Sequence, residues 1–247
     1  MRPAVQVVFR VFKSAVSYAV EEEILIRDCF KKMDFSAAPT SDKENYYNEE
    51  ELEVFLLRVK ENDPTTQYSS ILTLAMTGMR KGEMMELTWN DLDFKNRIIN
   101  INKARTRTGL GPPKSDNGYR KISMNDELFA QLKKYKAWCI KIKWERSLKH
   151  EDSDYVFISR QGCRPIGLTY VEDAIDMICK KYELRRISPH GLRHTVASVL
   201  LSRGETLVTV AKVLGDDPNT ILKEYVHSFE KDEIKSIELM NQFATGG

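Results

Sequence analysis

No apolar run in the 247 residues approaches the roughly 18 to 20 positions that a membrane-spanning helix needs, and the N-terminus lacks a leader's apolar stretch and cleavage site. These two absences lead to the expectation of a cytoplasmic protein with no membrane partner. Cysteine is scarce as well. Cys29, Cys139, Cys163 and Cys179 lie far apart, form no CxxC pair and show no Cys/His spacing of the zinc kind. That excludes a disulfide framework and a sequence-encoded zinc site, and leaves reduced thiols. Charge of one sign is also missing in bulk, because 38 Lys and Arg face 36 Asp and Glu for a formal net charge of +2. Any surface that holds a polyanion must therefore be local.

What is present suffices for a core, since 42% of the residues are apolar. The opening stretch VQVVFRVFKSAVSYAVEEEILIRDCF repeats apolar residues at helical spacing (Val8, Val11, Phe12, Ala15, Val16, Ala19, Val20), an amphipathic helix whose partner face is missing. Pro39 and a polar run then precede Asn48, an N-cap candidate followed by acidic residues, so residues near 36 to 46 read as a linker. The pattern is helical through SSILTLAMTGMRKGEMMEL and turns to strand where Ile99 and Ile101 alternate with Asn100 and Asn102. PPKSDNGYRKISM reads as a hairpin, because Asn117-Gly118 suits a tight turn and Ile122 and Met124 alternate after it. DYVFIS reads as a short strand, TYVEDAIDMICKKYEL as an amphipathic helix, and HGLRHTVASVLLSRG as a helix ending at Gly204. In FEKDEIKSIELMNQF, the residues Phe229, Ile234, Ile237, Met240 and Phe243 share one helical side.

Several residues could carry chemistry. His190 and Arg193 in HGLR stand one helical turn apart, so both can point at one small oxyanion, although a solvated helix face is the default for such a pair alone. Arg80 lies between an apolar helix and a Gly-containing turn, where Glu83 could hold its planar five-donor guanidinium toward a phosphate; a surface Arg–Glu pair is the plainer reading. Tyr225, beside Ile221 and Leu222, is by default a packing tyrosine. Lys103, Arg105, Arg107, Lys114, Arg120 and Lys121 gather about the expected hairpin, and such a cationic patch can hold phosphates by releasing counterions. Arg164, Arg185 and Arg186 are further candidates.

The segments TGMRKGE, PPKSDNGYRKI, SPHGLRHT and LGDDPNTILKEYVH occur in one order, and together they resemble the signature of the tyrosine recombinases, the phage and transposon integrase family. The resemblance spans about residues 5 to 243 and includes the Leu-Thr-Trp after Arg80 and the Leu-Gly ahead of Tyr225. It implies an α+β fold, mostly α, with a small antiparallel sheet, in which a catalytic domain (47–247) follows a linker (36–46) and a remnant of a helical core-binding domain (1–35). It implies that Arg80 and Arg193 hold the scissile phosphate, Lys114 protonates the departing 5′ oxygen, His190 assists, and Tyr225 attacks to leave a 3′-phosphotyrosine. No cofactor or metal is called for, and no GxxxxGK[ST] motif is present, in keeping with a reaction that conserves bond energy.

The same resemblance implies double-stranded DNA as partner, a homotetramer on two DNA sites through the helix near 229–243, an accessory excision factor, and residence at the nucleoid of a bacterium when active. The sequence departs from the family in two places. Asp216 stands after the Leu-Gly where relatives carry His or Trp. Three readings of it stay open: it points away and caps the following turn, which is preferred here; it is protonated; or His227 substitutes. The second departure is the front, where a helix or two of the core-binding domain is expected, as in a fragment or a shortened gene product that clamps DNA weakly. A catalytically impaired DNA-binding remnant and a topoisomerase-like relaxer are the alternatives to a full recombinase.

Overall fold

The computed structural model describes residues 3–30, 45–62, 65–106, 109–111 and 118–222. The chain divides into two units, Met1–Glu44 and Asn45–Gly247. In the first, α1 (Pro3–Glu21) is the amphipathic helix expected from the 3.6-residue period, and Phe12 meets Phe30 edge to face at 4.9 Å. Val8, Val11 and Ile26 remain exposed.

The second unit is built around α3 (Thr65–Thr77), which is buried on nearly every side. Its polar residues tolerate this because Ser69, Thr73 and Thr77 donate to the carbonyls one turn back, at 2.7, 2.7 and 2.6 Å. Helices α2 (Glu49–Glu61), α5 (Asp126–Trp144), α6 (Tyr170–Lys181) and α7 (Pro189–Ser202) pack on it. Asn48 caps α2 as expected: its side chain accepts from Glu51 N, and Glu51 accepts in return from Asn48 N. Gly78 ends α3 at φ +62° against Leu214 and Val196, a conformation and a closeness that exclude a larger residue. The chain then enters α4 (Lys81–Met85) with Arg80 at its N-cap.

The sheet is small and antiparallel, in the order β1 (Leu92–Asp93), β2 (Ile98–Ile101), β5 (Arg120–Ser123). Ile99 and Ile101 face the core and their neighbours do not, as their alternation requires. The pairing corrects one expectation. β5 pairs with β2, Ile101 opposite Arg120, so the strand after Gly118 is not closed onto its immediate predecessor by a tight turn. Between them stands a separate hairpin, β3 (Ala104–Thr106) with β4 (Gly109–Gly111). Asn117 itself lies outside the described residues. DYVFIS is corrected as well: among the described residues Tyr155 and Ile158 make only isolated bridges, to Thr88 and Pro165. Val156, Phe157 and Ile158 nevertheless fill the core.

Asn45 and Tyr46, expected in the linker, are bonded into the second unit. Asn45 exchanges hydrogen bonds with Ser188, and the Tyr46 carbonyl accepts from Arg185. A smaller apolar cluster of Ala197, Val210, Ala211, Leu214 and Ile221 joins α7 to α8 (Leu207–Leu214). Among the described residues no helix is long and apolar enough to cross a membrane.

Candidate active site

Three chain turns converge at one end of α3. The first brings Arg80, whose N–H donates to Glu83 Oε2 and whose Nη1 donates to Glu83 Oε1, both at 2.9 Å. Glu83 is buried, and it holds a second guanidinium, since Arg120 Nη2 donates to Glu83 Oε2 at 2.9 Å. Burial alone would raise the Glu83 carboxyl, yet the hydrogen bonds and charges of Arg120 and Arg80 prevail and keep it below the usual carboxylate range. Glu83 thus holds Arg80 and Arg120 on one carboxylate.

The second turn is the start of α7. Ser188 accepts from Gly191 N, and Pro189 occupies the first turn where its missing N–H costs nothing. Gly191 admits the Asn45 backbone so closely that an added Cβ would lie 2.4 Å from its carbonyl oxygen. This seating directs Arg193 inward: its side chain is 4% exposed and Nη1 donates to Gly78 O at 2.9 Å. Burial pulls its pKa down while Asp216 opposes the change. His190, one turn earlier, is exposed, with its ring 4.4 Å from that of His194.

The third turn follows α8, where Gly215 adopts φ +71° and Asp216 comes next. Asp216 does not point away. Its Oδ1 accepts from Arg80 and its Oδ2 accepts from Arg193, so one carboxylate spans both guanidiniums. The preference for an outward, capping Asp216 is therefore overturned. The reason is electrostatic: two cations held a carboxylate's width apart leave a deep anionic well at the place Gly215 delivers the side chain.

Arg80, His190 and Arg193 line one cavity of about 300 Å³, together with Met79, Lys81, Glu172, Ser188 and Pro189. The four segments are thus assembled as far as they are described. Lys114, Arg107, Tyr225, His227 and the stretch 229–243 lie outside the described residues. Of the expected DNA-contact residues, Lys121 is exposed. Lys103 pairs with Asp91 at 3.1 Å, and Arg105 pairs with buried Glu86 and lies over the Tyr155 ring. Arg120 is a correction: its side chain is 6% exposed, and its donors go to Glu83, Val213 O at 2.9 Å and Gly118 O at 3.1 Å. It fastens β5 to the end of α8, with each of its three nitrogens donating to a partner inside the protein.

Lys81, its partner Glu172 and His194 were not among the residues expected here. Lys81 bonds Leu168 O at 2.7 Å and Glu172, bringing α6 to the cavity; its adjacency to Arg80 was the only signal. His194, four residues after His190, shares its helical face, a spacing that marks it in retrospect.

A sequence model described as the phage integrase family matches residues 45–232. The chain belongs to that family. It is 27% identical over 220 residues to the ICEBs1 integrase of Bacillus subtilis, covering 85% of this chain and 58% of that protein. With the integrase of Staphylococcus phage L54a it shares 28% over 246 residues, 89% of this chain and 68% of the relative. The chain thus spans a little over half to two-thirds of these relatives. The Tn1549 transposon integrase in complex with transposon right end DNA has the same fold, with TM-score 0.73 and 24% identity over 94% of this chain and 77% of that one. The expected mostly-α, α+β fold with a small antiparallel sheet is the one observed.

Proposed function

We propose that this chain is a site-specific DNA recombinase that cleaves and rejoins strands through a 3′-phosphotyrosine, with Tyr225 as the nucleophile. The observation that carries the reading is the convergence of Arg80 and Arg193, far apart in sequence, on one carboxylate that has the spread of a phosphate's nonbridging oxygens. Attack on a phosphodiester builds negative charge on those oxygens, and fixed donors in a largely buried site stabilise it without reorganisation. Glu83 holds Arg80 and the Gly78 carbonyl holds Arg193, so neither guanidinium must be ordered when DNA arrives. His190, exposed at the cavity rim, is placed to pass a proton or bond the phosphate, and Lys114 protonates the leaving 5′ oxygen. A phenol of pKa about 10 needs these cations to become a nucleophile at neutral pH.

The partner is double-stranded DNA, in keeping with the Tn1549 integrase, which is described in complex with DNA. Lys121, exposed beside the site, and Lys103, Arg105 and Arg107 are proposed phosphate contacts, while Arg120 is a positioning residue. Residues 1–35 are proposed as part of a core-binding domain, 36–44 as the linker, and the segment near 229–243 as the tetramer contact on two DNA sites. An accessory excision factor and a nucleoid location complete the reading.

A nicked suicide duplex tests it: a denaturation-stable adduct that maps to Tyr225 is expected, and an adduct of equal yield from Tyr225→Phe would sink the mechanism. One observation favours the impaired DNA-binding remnant as a second reading, namely that Asp216 fills the anion seat. Under that reading the duplex binds and no adduct forms. A relaxer without exchange would relax supercoiled plasmid and leave a two-site substrate unrecombined.

A further inference from the structure

We infer that Asp216 is a specificity-determining residue, a tethered carboxylate that holds the phosphate seat against small anions and gives it up only to a phosphodiester delivered by a polyvalent duplex. The inference rests on the reading of Arg80 and Arg193 as a phosphate cradle. Each Asp216 oxygen serves one guanidinium, Oδ1 on Arg80 and Oδ2 on Arg193, so the seat is filled in both coordinates. Arg80 Nη2 also donates to Gly215 O at 3.2 Å, which draws the same turn onto the cation.

The hold is strong but is not built like a permanent one. Asp216 is 17% exposed, whereas Glu83 is 1% exposed, and the carboxylate is attached to the main chain just after a left-handed glycine. Backbone beyond α8 is held by Asp216 N on Ala211 O at 3.0 Å and by Asp217 capping contacts to Asn219 and Thr220. Rotation of the Asp216 side chain alone frees both guanidiniums while these bonds stay in place.

A tethered group competes at a local concentration that a free small anion in dilute solution does not reach. A sulfate or phosphate ion brings one anionic group to the contest. A duplex brings many, and its contacts with Lys121 and its neighbours supply the remainder through counterion release. Until then the carboxylate also offsets the mutual repulsion of the two guanidiniums in a poorly solvated site.

Sulfate titration of the full chain without DNA tests the gate, with binding followed by calorimetry. Asp216→Asn keeps the shape and removes the charge, and should bind sulfate at least about ten-fold more tightly than the wild type, the lower end of what one close competing charge pair is worth. Adding Arg80→Gln to Asp216→Asn should cancel the gain. Equal sulfate affinity of Asp216→Asn and wild type overturns the gate, and does so whether or not Tyr225 forms an adduct. If Asp216→Asn shows no cooperative melt, the wild type carries the test by NMR with the nicked duplex. The Asp216 carboxyl resonance should then move together with the Nε resonances of Arg80 and Arg193. Arginine signals that move while Asp216 stays still, or three signals unmoved by a duplex that binds, overturn the gate.

Discussion

Glu83 and Asp216 each give a carboxylate to Arg80, and the surroundings of the two are opposite. Glu83 sits within α4, is 1% exposed, and is shared with a second buried cation, Arg120, whose other donors reach Val213 and Gly118. Asp216 follows a left-handed glycine, is 17% exposed, and shares Arg80 with Arg193. One arrangement is framework, because its loss would strand charge in the interior. The other is an occupant, because solvent can reach it. Ion-pair count does not separate them; burial and attachment do.

The largest effect should come from Glu83→Gln. Arg80 and Arg120 would lose their common anion, and breaking a buried pair costs about 3–5 kcal/mol. Urea unfolding of Glu83→Gln and Asp216→Asn compares the two, and an equal loss from Asp216→Asn would erase the distinction. The pH dependence has a definite sign. The Glu83 carboxyl is held below its usual range in the folded state, so its contribution is complete above the unfolded carboxylate pKa and is lost as pH falls through the folded value. Wild type should therefore lose stability in acid more steeply than Glu83→Gln does.

Next in size is the contrast between neighbours on β5. Arg120→Ala leaves Glu83 with one cation and takes the Arg120 donors from two carbonyls, and should cost about 3 kcal/mol in urea unfolding. Lys121→Ala removes an exposed cation and should change stability by less than about 0.5 kcal/mol. Its effect appears on DNA, as a salt-dependence slope reduced by about 1. Arg120→Ala with a small stability loss would return that residue to the surface patch where its sequence neighbours suggested it lay.

That contrast shows what the sequence made legible. Periodicity located α1, α6 and α7, the Asn48 cap fixed the start of α2, and the pairing of Glu83 with Arg80 follows from their separation by one turn. Helix α5 was not recognised although Leu128, Leu132, Tyr135, Cys139 and Ile142 are buried at helical spacing, because exposed Ile140 and Trp144 interrupt the apolar stripe. The β2–β5 pairing was hidden because the local turn signal at Asn117-Gly118 carries no information on a partner beyond the β3–β4 hairpin. The inward turn of Asp216 and the burial of Arg120 depend on long-range electrostatics, on groups 136 and 37 positions away, and no local pattern encodes them.

The smallest effect tests how far the Asp216 charge reaches. Burial first, and then the charges of His190 and Arg193, lower the His194 pKa to about 4 against the opposing charge of Asp216. His194 is therefore neutral in the folded protein at pH 7, while the unfolded residue takes its proton near pH 6.5. The stability this affords is complete above pH 6.5 and is lost as pH falls toward about 4, because the unfolded state binds the proton first across that window. His194→Gln should flatten this part of the stability profile. An NMR titration of the His194 ring then reads the Asp216 charge: Asp216→Asn removes the opposing charge and should move the midpoint lower still, whereas Asp216→Glu, which keeps the charge, should leave it near the wild-type value. A His194 midpoint unchanged by Asp216→Asn would mean that the carboxylate spends its time away from the guanidinium pair, and the occupant side of the comparison would fall.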